Sequence, residues 1–403
     1  MNKNLYDVVM CGAGPANTSL IPDIIENEEI KSCLILEKTN VVGSGELKKY
    51  QITANSLGCV FLEKFDDCDR ALSQHIRATE AWKYLSDHQD KAVELKVVGE
   101  YLEKLSEFIQ EDHACCEKFT LMTEAEVCKV KHTDSGVYEI TYRKGEKSHT
   151  VIAKKVLFNI GGKPRKPRLI PDIQTVNSSE IINCSYDEAI QAQKMNRISI
   201  LGSSHSAVSC MIRLIEQLNY QGNIDLLVNK DFKLFYDSPE SATADGYKFS
   251  EEDMCLQSKR INRYSGLRYD SFSFAQKLNH GHYPNIHITN IEGLSDEEII
   301  QKINRSDLLV NCTGYESKLV NIVDQNDTEV EFEHDRYGLI TDSKLSPILK
   351  SGQSLLNFHT FGLGSGVKTG GDCGGESNFD GRIDGVWVYQ HIIPKIVFSN
   401  ELK

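Results

Sequence analysis

Two glycine-bearing loops and one acid carry the first chemical signal in this chain. Gly12-Ala13-Gly14-Pro15-Ala16-Asn17 follows an apolar run from Tyr6 to Cys11 and precedes a helix-forming stretch. Gly12 permits a tight turn, and Gly14 removes a side chain so that backbone can approach a pyrophosphate. Free N–H groups at the start of the next helix add partial positive charge. Glu37 stands 23 residues after Gly14, close to the spacing of about 20 at which an acid meets a ribose hydroxyl. Gly12, Gly14, Pro15, Ala16, Asn17, Glu37 and its neighbour Lys38 are therefore the candidates for one dinucleotide site.

The second loop is Gly202-Ser203-Ser204-His205-Ser206-Ala207, between the apolar run Arg197 to Leu201 and an amphipathic stretch. Gly202, Ser204, Ser206 and Ala207 are its candidates. The next strand ends in Asn229 and Lys230, with no acid. A 2′-phosphate is tolerated there, which favours NADPH over NADH without settling the donor. Lys230, Arg260 and Arg263 are candidates for that phosphate. His205 reads as loop filler, with packing near nicotinamide as the alternative.

The elements that must position these loops follow from pattern. Tyr6 to Cys11 and Ser32 to Glu37 read as buried parallel strands. Ala16 to Glu29 reads as a helix that Pro22 kinks or splits. Arg197 to Leu201, Val208 to Leu218 and Asn223 to Val228 repeat the strand–helix–strand order. Between the two units, 71–108 is mostly helical and 137–142 alternates as a strand, with a turn at 144–146. Val156 to Ile160 and Asp307 to Asn311 are further strands. Each runs into glycine, at Gly161-Gly162 and at Thr313-Gly314, and these look like two domain crossings. Nine of the 28 glycines fall between Gly362 and Gly385, a stretch suited to close backbone approach or to a long loop. The segment from Asp384 to Val397 reads as a helix.

Composition sets the outer bounds. The 403 residues suit about two domains, and 40% apolar with 26% charged is ordinary for a globular chain. A net charge of −13 disfavours nucleic acid as a partner. No apolar run approaches the length of about 18 residues that suggests a spanning helix, and no secretory leader is read at the N-terminus. The twelve cysteines are expected to be mostly free thiols in a reducing, cytoplasmic setting. No CxxC pair occurs, which disfavours a disulfide reductase, and no metal-ligand spacing is found.

The Gly-x-Gly-Pro-Ala-Asn loop resembles the FAD-binding loop of the N-hydroxylating flavin monooxygenases, which act on lysine or ornithine side chains. Phe158 to Pro167 is similar to that family's strand-to-linker stretch. Gly202 to Ala207 resembles its NADPH loop, with Ser206-Ala207 matching its Ser-Ala. Asn311-Cys312-Thr313-Gly314-Tyr315 is similar to its late Ala-Thr-Gly-Tyr motif, which brings Thr313 and Gly314 into the site. The stretch after Glu37 departs from the family's pattern, although Gln51 can take its flavin-facing Gln position. The glycine-rich tail resembles the last flavin-binding loop in position. Asp372 and Asp384 are its candidates for the ribityl chain, and the helix opened by Gly385-Val386-Trp387 is placed to face the flavin ring.

The resemblance implies an α/β fold of two Rossmann-like dinucleotide-binding domains. The FAD domain would be discontinuous, 1–165 and 320–403, with an NAD(P)H domain inserted at 166–319. The implied activity is NADPH-driven hydroxylation of a small amine or amino-acid-type substrate with O2, through a C4a-hydroperoxyflavin. A flavin oxidase or NAD(P)H reductase without oxygen insertion is the alternative. No side chain is assigned an acid–base role, the substrate is not named, and a homo-oligomer is left open.

Overall fold

The computed structural model describes residues 5–67, 69–167, 169, 171–192 and 195–399, apart from the side chain of Asp372. Thirteen strands build its two main sheets. The first six are β1 (Leu5–Cys11), β2 (Cys33–Leu36), β3 (Phe119–Met122), β4 (Ala125–His132), β5 (Tyr138–Lys144) and β6 (Lys147–Phe158). The next five are β7 (Thr175–Asn177), β8 (Arg197–Leu201), β9 (Asn223–Val228), β10 (Ile286–Asn290) and β11 (Leu308–Asn311). The chain then returns through β12 (Asn321–Val323) and β13 (Phe358–His359).

The first sheet has the order β12-β4-β5-β6-β1-β2-β3, with β13 on β6. β1 pairs in parallel with both β2 and β6. Its sequence explains its central place. Val8 and Met10 enter one core and Val9 and Cys11 the other, so no face is left for polar residues. The second sheet, β7-β11-β8-β9-β10, is parallel throughout. It too is covered on both faces: Leu308 and Val310 lie in one cluster and Leu309 in another.

The first helix comes as two pieces, Pro15–Thr18 and Ile21–Glu26. Pro22 has no N–H to offer the Thr18 carbonyl, so the ladder breaks there. The expected 208–218 helix is instead His205–Ile212 followed by one wider turn, closed by the Leu218 N–H on the Arg213 carbonyl. The segment 71–108 holds three helices, Ala71–Arg77, Glu80–Asp87 and Leu95–Glu111, and the tail holds two short ones, Val386–His391 and Ile393–Val397.

The two sheets are joined by a ribbon. Gly162–Pro164 pairs antiparallel with Tyr315–Ser317. The Arg165 N–H reaches the Gly314 carbonyl and the Lys318 N–H the Gly161 carbonyl. Both links between the sheets thus leave side by side.

Two histidines, His359 buried and His205 half-buried, give the fold an acid limit. His359 on β13 donates from Nδ1 to the Lys344 carbonyl, and His205 donates from Nε2 to the Gly266 carbonyl. The other ring nitrogen of each is buried without a partner. A proton there would be a buried donor with no acceptor. Burial pushes both histidines down to about 4. An unfolded histidine titrates near 6.5, so below that pH the unfolded chain gains protons that the native one refuses. The stabilisation is complete above pH 6.5 and is lost as pH falls towards 4. Denaturant melts should lose roughly 2 kcal/mol per histidine between pH 6.5 and pH 5. Replacing His359 with Gln should remove one such share of the slope.

Candidate functional site

The first loop is held from below. Gly12 has φ +87°, and its N–H bonds the Leu36 carbonyl at 2.8 Å. A Cβ on Gly12 would stand 2.4 Å from the Asn159 carbonyl oxygen. Above Gly14 the space is open, with nothing within 4 Å of a built Cβ. Pro15 and Ala16 open a helix of only four residues, so its dipole is small. Backbone N–H groups are left as the main anion donors. Glu37 accepts from the Ala13 N–H at 2.8 Å and from both the N–H and the hydroxyl of Thr39. Its carboxylate is thus fixed beside the loop with lone pairs to spare, as recognition of a hydroxylated ribose requires. Lys38 is exposed next to it.

Asn17 is fully buried. Its Nδ2 bonds the carbonyls of Cys11, Gly12 and Leu157. Its Oδ1 accepts from Asn159 Nδ2 at 2.8 Å. The side chain braces the loop, and only the backbone of Asn17 is left to face a ligand. Asn159 carries the brace onward, because its Oδ1 accepts from the N–H groups of Phe361 and Gly362 at 2.9 and 2.8 Å. The Phe158 to Pro167 motif that contains Asn159 carries no sign of this task. The three links of Asn159 reach residues 142 to 203 positions away, beyond any local pattern.

The tail closes the same site. Helix Val386–His391 packs against Pro15–Thr18. Asp384, just before it, is reached by solvent yet has protein on most sides. This crowding raises its carboxyl above the usual range. The side chain of Asp372 lies outside the described residues.

Gln51 lies elsewhere than beside the loop. Its strap starts there, with the Gly43 N–H on the Ala13 carbonyl and Gly45 against Pro15. It then crosses to the second sheet's helices, where the Gln51 N–H bonds the Ile182 carbonyl. Gln51 lines a cleft of about 510 Å³ with Tyr50, Thr53, Arg213, Gln217 and Asp270.

At the second loop, Gly202 has φ +133°, and a Cβ there would meet the Cys312 carbonyl oxygen at 2.7 Å. Ser204 is exposed and Ser206 half-buried, leaving two hydroxyls for a ligand. Ala207 is fully buried against the sheet, where a larger residue would push the helix away. Thr313 caps Asn311, whose Nδ2 holds the Arg165 carbonyl at 2.7 Å. Gly314 has φ +97° and open space above it. Lys230 is exposed at the end of β9. Arg260 pairs with Asp237, and Arg263 turns to the Cys373 carbonyl of the tail.

Residues 115–271 match the family L-lysine 6-monooxygenase/L-ornithine 5-monooxygenase. A hydroxylase of CMP-5′-(3-aminopropyl)phosphonate from Streptomyces rubellomurinus is 28% identical, over 97% of this chain and 96% of its own. In sequence over 115–271 and in overall fold, the chain is similar to the N-hydroxylating flavin monooxygenases. Its fold is that of the ornithine N-hydroxylase of Kutzneria sp. 744, at a TM-score of 0.63, 15% identity and 98% of both chains. The ornithine hydroxylase of Pseudomonas aeruginosa gives 0.60 at 16% identity, also over 98% of both. A bacillithiol disulfide reductase of Staphylococcus aureus reaches 0.53 at 12% identity, over 98% of this chain and 97% of its own, so the fold is shared across different redox chemistries.

The two glycines of the first loop should separate under mutation. Gly14→Val points into open space and should leave the melting temperature within a few degrees while emptying the site of flavin. Gly12→Ala strains a positive φ against backbone and should destabilise the whole protein by about 2–4 kcal/mol. Absorbance and thermal melts read the two effects apart.

Proposed function

We propose that the chain binds FAD at 12–17 and NADPH at 202–207 and hydroxylates the nitrogen of a primary amine with O2. The FAD domain is 1–165 with 320–403, and the NADPH domain is 166–319. The observation that carries this reading is the pair of glycine loops. Each opens a helix at the end of a central parallel strand, on sheets joined by the ribbon at 162–164 and 315–317.

A bound flavin supplies the hydride and oxygen chemistry. The protein's own groups hold and shield it. Glu37, held in place by the Ala13 N–H, meets the ribose at the adenosine end. Asp384 meets the chain that leads to the ring. Ser204, Ser206 and Lys230 receive the nicotinamide dinucleotide. No acid–base side chain is required at the ring, and His205, half-buried, is neutral at pH 7. The described cysteines are free thiols, which supports a reducing, cytoplasmic setting, and among the described residues no helix is long and apolar enough to cross a membrane.

The relative's substrate is a primary amine on a phosphonate, and we place this chain's substrate in the class of small aminoalkyl compounds. The test is a product balance. The protein loaded with FAD should consume NADPH in air faster when 3-aminopropylphosphonate or a related amine is added. Close to one hydroxylamine should form per NADPH. NADPH consumption that yields only hydrogen peroxide with every amine would favour the oxidase reading instead.

A further inference from the structure

The glycine-rich tail does more than close the first site. Its base is a small hairpin, Val367–Lys368 paired with Arg382–Ile383. The base belongs to the first domain, since Arg382 is tied to Asp335 and the Gly364 carbonyl to the Leu339 N–H. The tip, 371–378, lands on the second domain along residues 253–265. Arg263 and the Tyr264 hydroxyl donate to the Cys373 carbonyl at 3.0 and 2.8 Å. The Gly375 N–H meets the buried Cys255 sulfur at 3.2 Å. Asn378 donates to Asp253 at 2.7 Å and accepts from Lys233 at 2.8 Å.

Glu376 is the centre of this contact. It is 2% exposed. Oε1 accepts from the Tyr264 N–H at 3.0 Å, the Ser265 N–H at 2.8 Å and the Ser265 hydroxyl at 2.8 Å, and Oε2 lies 3.2 Å from the Tyr264 N–H. A carboxylate taken out of water and held by several donors is costly to release or replace. Its donors lie in the second domain, 111 or more positions earlier. The turn that supplies them also supplies the Gly266 carbonyl that holds His205 of the NADPH loop. Glu376 is therefore two short steps from that loop.

We propose that Glu376 is a positioning residue. It seats the tail on the second domain and so sets the nicotinamide against the flavin. The ribbon at 162–164 and 315–317 is a two-stranded link and does not by itself fix an angle between domains. Hydride transfer needs reacting atoms about 3–3.5 Å apart. The strap at 43–52 ties the two parts on another side, and the clasp at Glu376 adds the constraint that reaches the NADPH loop. Glycines 370, 371, 374 and 375, all at positive φ, let the loop lie flat enough to reach it.

This rests on the flavin and NADPH reading for one of its two readouts. Glu376→Gln puts an amide nitrogen or a weaker acceptor against three donors. In FAD-loaded protein it should slow flavin reduction by NADPH at least tenfold. Full flavin content and normal reduction by dithionite should remain, and Glu376→Asp should recover part of the rate. Hydrogen exchange of 369–379 in the same variant should rise at least tenfold over the wild type. Tyr264→Phe removes only the bond to Cys373 and keeps the test open if the Gln variant does not fold; it should slow reduction two- to fivefold. Faster exchange with an unchanged reduction rate would overturn the positioning role. Unchanged exchange would overturn the clasp. A wild-type flavin that NADPH does not reduce would count against the proposed function, and exchange would still judge the clasp.

Discussion

A pair of facing amides, Asn17 and Asn159, is the interaction on which this structure most depends. Both side chains are buried, and between them they take up three carbonyls and two N–H groups. Those groups come from three places: the end of β1 with its loop, the end of β6 where the chain leaves for the second sheet, and Phe361-Gly362 where the tail begins. An amide offers two donors and two lone pairs in one plane. It can therefore bridge strand ends that point the same way, which an aliphatic side chain cannot do. In a buried setting each unmet partner costs about 1–3 kcal/mol, so the three segments are held together or not at all.

The second sheet repeats the device in a simpler form. Asn311 ends its strand, holds the Arg165 carbonyl of the first crossing and is capped by Thr313. Each crossing thus starts from a buried asparagine, and the two crossings pair with each other. The glycines follow the same logic. Gly12 and Gly202 sit where backbone from the neighbouring strand end leaves no room for a Cβ. Gly14 and Gly314 sit where the space is open. One pair serves packing, and the other leaves room for a ligand.

Much of this was legible in the sequence, and the reasons differ by element. Strands buried on both faces announce themselves as apolar runs, so β1, β2, β8 and β9 were readable. Glycine loops are readable because few other residues tolerate the turn. Pro22 correctly signalled a broken helix. What could not be read depends on distant partners. Asn17 was noticed for its place in a motif, but its inward-facing side chain is explained only by Asn159, 142 positions away. Gln51 is read by analogy as flavin-facing, and the strap that carries it to the helices of the second sheet is set by its distant bond to Ile182. Arg263 looked like a phosphate ligand because charge alone does not reveal that a tail carbonyl holds it. The tail's glycines predicted close approach, but not to which surface.

The most direct test of the account is a visible spectrum of the purified protein, followed by anaerobic titration with NADPH. The account predicts a yellow protein with oxidised-flavin bands that bleach fully on addition of one equivalent of NADPH. A yellow protein that NADPH leaves unbleached would contradict the role given to the second loop. A colourless protein that takes up no added FAD would contradict the site that Asn17 and Asn159 hold in place.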